Sequence, residues 1–134
     1  MSELLTAPTV QEEKLQTPYV SIWMDGEILC CKYAENLDLT LEIAKSLVES
    51  RIQFTGGVSY PALIDIRGLR STTVDARHYM ASIGTSMIKA GAIITGSSVN
   101  RTLGNIFLTI DRPIIPTRLF TGEEGARKWL SQFI

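Results

Sequence analysis

The chain has 134 residues, of which 45% are hydrophobic and 20% charged, with a formal net charge of −1. That size and balance belong to a single folded domain with its own core, and they exclude a disordered chain or a disulfide-stapled miniprotein. Near-neutral charge gives no global field for nucleic acid, and no stretch approaches the roughly 20 apolar residues that cross a bilayer, so neither partner is expected.

Residues 1–18 are polar and without periodicity, and they predict a flexible N-terminal tail ahead of one domain over residues 19–134. They hold no basic region followed by an apolar run, so no signal peptide is expected and the cytoplasm is the expected compartment. Tyr19–Met24 reads as a strand, Asp25-Gly26 as a hairpin turn and Ile28–Tyr33 as the second arm. Cys30 and Cys31 are adjacent within that arm. Side chains alternate across a strand, so the pair points to opposite faces, and plain thiols with at least one in the core are expected.

A helix over Thr40–Ile52 follows, with Asp38 or Thr40 as N-cap and Leu37, Leu41, Ala44, Val48 and Ile52 as its buried stripe. Gly56-Gly57 closes it. Tyr60–Ile66 carries a continuous apolar run, the mark of a buried strand. From about Thr73 a helical segment places Ala76, Met80, Ile83 and Met87 on one face, with Gly84 as a weak point. Ala90–Thr95 is the next strand. A helix from Ser98 has Val99, Leu103, Ile106 and Ile110 as its core stripe, and Gly104 within it signals a close approach to a neighbour. Thr117–Phe120 is a short last strand. Thr121-Gly122-Glu123-Glu124 has the form of a capping box, opening a helix with Ala126, Leu130 and Phe133 on one side. The order β-β-α-β-α-β-α-β-α predicts an α/β domain whose mostly parallel sheet opens with an antiparallel hairpin.

This order, with Leu63-Ile64-Asp65-Ile66-Arg67-Gly68-Leu69 followed by Ser71-Thr72-Thr73, and the closing Arg118-Leu119-Phe120-Thr121 and Trp129-Leu130, resembles SpoIIAA-like domains. That group includes STAS domains and bacterial anti-sigma factor antagonists. The resemblance spans roughly Tyr19 to Phe133. It implies a regulatory protein–protein module in which a serine kinase phosphorylates a hydroxyl at the start of the helix and thereby breaks contact with an anti-sigma-like partner. With the Asp-to-Gly segment aligned without gaps, the family's hydroxyl pair falls on Val74 and Asp75 and its Gly on Ala76. Here the hydroxyls Ser71, Thr72 and Thr73 stand two or three positions earlier, as phospho-acceptors or as helix caps.

Three loops should meet beyond the carboxyl ends of the parallel strands, where open α/β sheets bind ligands. They contain Asp65, Arg67, Arg70 and Ser71–Thr73; Gly96, Ser97 and Ser98 with Arg101 one turn on; and Thr121. Hydroxyls, glycines and arginines around helix N-termini suit a small anion or a partner surface, and they are equally ordinary turn and cap residues. Asp65 at a strand end is either a metal ligand or base, or a loop acceptor. His78 should face solvent, and no second histidine accompanies it. Neither a nucleophile elbow nor a phosphate-binding glycine loop occurs, so no catalysis and no cofactor are expected. Trp23 and Trp129 read as core or core-edge packing. The apolar surplus at Phe107 and Leu108 either packs against the Ile114-Ile115 loop or forms a homodimer or partner surface.

Overall fold

A computed structural model describes residues 13–134; the sequence expectation for residues 1–12 lies outside the described residues. In chain order the elements are β1 (Lys14–Gln16), β2 (Val20–Asp25), β3 (Ile28–Tyr33), β4 (Leu37–Leu39), α1 (Leu41–Thr55), β5 (Tyr60–Asp65), β6 (Leu69–Thr72) and α2 (Val74–Ala81). They continue with β7 (Ile88–Ile94), α3 (Ser98–Ile106), β8 (Thr117–Phe120) and α4 (Glu123–Leu130).

The main sheet runs β1-β2-β3-β5-β7-β8, antiparallel through β3 and parallel from there on. Each parallel step moves one place in the same direction, with α1, α2 or α3 carrying the chain back. This is the expected α/β domain, opened by the expected hairpin. Gly26 supplies the positive φ of its turn, at 63°.

The strands bury both faces. On one, Val20, Ile22, Leu29, Cys31 and Ile93 pack with Ala44 and Leu47 of α1 and Ala76 of α2. On the other, Ile28, Cys30, Leu63, Ala92 and Ile94 pack with Ala126 and Leu130 of α4, with Trp23 and Trp129 at the margin. Cys30 and Cys31 are both buried, one in each cluster, as strand alternation requires.

Four sequence expectations need correction. Lys14–Gln16, assigned to the tail, pairs with β2 through Lys14↔Trp23 and Gln16↔Ser21. Helix α2 stops at Ala81 and a single 3-10 turn, Ile83–Thr85, replaces the longer helix, leaving Ile83 and Met87 exposed. The core face of α3 is rotated from the expected one: Val99 and Ile110 face outward, while Asn100 and Gly104 are buried and Leu103 and Phe107 meet the core. The close approach inferred at Gly104 is present, since a Cβ there would lie 3.0 Å from Leu119. Lastly, α4 has Gly122 at its N-cap without a side-chain bond, so Thr121 does not cap it.

Candidate functional site

At the carboxyl edge of the sheet, the candidate side chains are mostly bonded to one another. Asp65 ends β5 and receives the Arg67 guanidinium at 3.0 and 2.8 Å, together with the Arg67 N–H at 3.0 Å. Burial pushes the Asp65 carboxyl up, but the bonds and charge of Arg67 outweigh this and hold it below the usual carboxylate range. The Arg67 stem lies over Gly96, where a Cβ would come within 3.0 Å of its Cγ, so a side chain there would have to displace Arg67.

A second cluster joins β4 to β6. Arg70 donates through both arms of its fork to Asp38, and Ser71 Oγ donates to the same carboxylate at 2.6 Å. The Arg70 and Ser71 bonds hold the Asp38 carboxyl down at about 2. Thr40, the other candidate named with Asp38, is the N-cap of α1.

Thr73 is the N-cap of α2, accepting from the Ala76 N–H at 3.3 Å, and it also donates to Asp75. Thr72 accepts from Arg77 at 3.1 Å. Ser97 is the N-cap of α3, accepting from the Asn100 N–H at 3.1 Å, while Ser98 is exposed. Arg101 and Thr121 do come together, lining a 290 Å³ cleft with Thr95, Leu119 and Phe120. Thr95 Oγ1 is buried without a partner among the described residues.

Sequence reasoning passed over two buried polar residues. Asn100, 1% exposed, accepts from the Gly96 N–H at 3.2 Å and donates to the Leu69 carbonyl at 2.8 Å, tying α3 to β6. Arg51, 5% exposed, donates to the carbonyls of Ser86 and Gly84, both at 2.7 Å. Arg51 continues the buried face of α1 through Ala44, Leu47 and Val48, so its spacing was the available signal.

A second feature lies deeper in the fold. Between the sheet and the layer of α1, α2 and α3 there is a cavity of about 110 Å³. Val48, Ile64, Ile93, Leu103 and Phe107 contribute to its mainly apolar wall, and Arg51, Thr72 and Arg77 bring polar groups to it. Arg77 is occupied by Asp111, at 2.9 Å, and by Thr72. Asp111 is fully buried at its side chain, and the exposed His78 approaches its Oδ1 at 3.3 Å without hydrogen-bond alignment. Asp111 is carried by a π turn, Phe107–Asp111, which widens the end of α3 beside the cavity. Such turns recur at functional sites.

Fold and cavity together define an α/β module with a mainly apolar cavity against one face of its sheet. Residues 22–134 match the family described as Domain of unknown function (DUF7793), and the chain belongs to it. No curated protein matches in sequence. Among solved structures, the chain is similar to an uncharacterized protein from the DUF3478 family with a SpoIIAA-like fold from Shewanella loihica PV-4. The TM-score is 0.54 at 20% identity, over 83% of this chain and 91% of that one. The fold is therefore SpoIIAA-like, as the sequence resemblance implied.

Proposed function

We propose that this protein is a regulatory binding module whose interior cavity holds a small apolar molecule. The observation that carries the proposal is the 110 Å³ cavity itself. Protein interiors pack as densely as organic crystals and hold few voids larger than a water. At roughly 24 cal/mol per Å³, a sealed void of this size costs about 2.6 kcal/mol, an upper bound on what a fitting ligand recovers here. An apolar cavity of about 150 Å³ stays dry and takes up benzene, so an occupant of about six carbons matches the scale here. The polar side chains at the sheet edge support a binding module more than an enzyme, because Asp65, Arg67, Arg70, Ser71 and Thr73 all hold neighbouring side chains or backbone.

The test is thermal unfolding of the pure protein with 1-hexanol. The melting temperature should rise with ligand concentration, since a ligand that binds only the folded state adds RT ln(1 + [L]/Kd). Gly91 lines the cavity, and a Cβ there meets Ile64 at 3.6 Å and Thr117 at 3.9 Å, ordinary contact distances. Gly91→Ala should therefore raise ligand-free stability by about 0.5–1 kcal/mol and weaken the 1-hexanol response. No ligand response in the wild type contradicts the proposal.

Exposure of the β6–α2 junction favours a second reading, in which a partner protein docks there as in STAS-type regulation. Ser71, Thr73 and Val74 are exposed. A phosphate on Ser71 or Thr73 would add about −1.5 to −2 charges beside Asp38 or Asp75 and push the junction apart. Protein purified from its own cells would then carry about 80 Da of added mass, as a phosphoryl group gives, and bring a serine kinase or anti-sigma-like partner with it.

A further inference from the structure

Arg51 sets the chemistry of the cavity's occupant. A guanidinium has five N–H donors, and the bonds to the Ser86 and Gly84 carbonyls use two of them. No carboxylate pairs with Arg51 among the described residues; the ionisable neighbours that act on it are Cys31, Tyr33 and Tyr79, all ordinarily neutral. Burial pushes its pKa down, the direction expected for a cation held out of water without a full counter-charge. The two carbonyls end the 3-10 turn that follows α2 and supply part of that compensation as oriented dipoles. Among the described residues a full negative charge is still missing.

The other guanidinium at the cavity, Arg77, differs in that respect. Its Nε lies 2.9 Å from the buried Asp111 carboxylate, and a second arm reaches Thr72. Among the described residues the cavity therefore presents one cation without a carboxylate partner, at a wall that is otherwise mainly apolar. A single positive charge suits a monoanion. The planar fork of arginine matches a carboxylate in particular, through paired N–H···O bonds. A phosphate dianion would bring more charge than one guanidinium offsets, into a space of only 110 Å³.

We infer that the ligand is a small aliphatic or aromatic monocarboxylate, with its apolar body against Val48, Ile64, Ile93 and Leu103 and its carboxylate on the free donors of Arg51. This rests on the cavity reading above. Charge-assisted hydrogen bonds in such a setting are worth about 10- to 100-fold in affinity over a neutral isostere.

The experiment is calorimetric titration of the full chain with hexanoate and, separately, with the uncharged hexanamide. Hexanoate should bind at least about tenfold more tightly. Arg51→Gln should abolish that preference while hexanamide still binds. Equal affinities in the wild-type protein overturn the carboxylate inference and leave the cavity reading standing. Binding of neither compound, with no response to 1-hexanol, overturns both. Should Arg51→Gln fail to fold, carboxyl-labelled hexanoate on the wild-type protein decides by NMR. A bound carboxyl that titrates below its value in water supports pairing with Arg51, and one that titrates above it overturns the pairing.

Discussion

Cys31 shows how far a single residue reports its surroundings. It lines the cavity wall, buried, and burial pushes its thiol up to about 12 from 9.0. The phenol of Tyr33, beside it, is pushed upward by the same cause. Below about pH 7.5 both thiol and phenol are protonated in the folded and unfolded chains alike. Above it the unfolded chain releases protons that the folded chain retains, so stability falls as pH rises towards the folded values. Urea midpoints measured across this range should drop with pH, and Cys31→Val should flatten the fall between about pH 9 and 10, where the thiol leads. A pH-independent midpoint would place the thiol in contact with water. The carboxylates act in the opposite range. Asp38, held at about 2, adds stability that is present above its unfolded value of about 3.9 and is lost as pH falls through 2.

At the scale of elements, Asn100 explains why α3 sits as it does. Its side chain satisfies the Gly96 N–H and the Leu69 carbonyl at once, and so fixes the start of α3 against β6. Asn100→Ala strands both groups and should lower stability by about 2–3 kcal/mol, with faster amide exchange at Gly96 than in the wild type. The same residue accounts for the main misreading of the sequence. Hydrophobic spacing put Val99 and Ile110 inward, whereas the buried face is set by a polar side chain and by Gly104, neither of which periodicity counts. Strand β6 was hidden for a different reason. Leu69-Arg70-Ser71-Thr72 has no local strand signal and becomes one by pairing with β4, a contact about 32 residues away. Edge strand β1 likewise depends on the hairpin beside it. What local chemistry decides was legible: the hairpin turn at Asp25-Gly26, the caps at Thr40 and Thr73, and the alternation that orders β3, β5, β7 and β8. Of the site, the residue types at the strand edge were legible but their partners were not: pairing of Arg67 with Asp65 and of Arg70 with Asp38 occupies the guanidiniums that an anion would need.

For the whole molecule, the sheet is covered unevenly. On one face α4 closes through its own Ala126 over the small residues Ala90 and Ala92 of β7, and this half is a conventional packed layer. The other face carries three helices, of which α2 is cut short at Ala81 and α3 widens into a π turn, and the cavity lies beneath them. Among the described residues no helix is long and apolar enough to cross a membrane. The most direct test of the account is a NOESY experiment on the labelled protein with unlabelled 1-hexanol, filtered for contacts between ligand and protein. The account predicts cross-peaks from the ligand to the methyl groups of Val48, Ile64, Ile93 and Leu103. Cross-peaks confined to Leu119 and Thr121 at the sheet edge, or none at all, would contradict it.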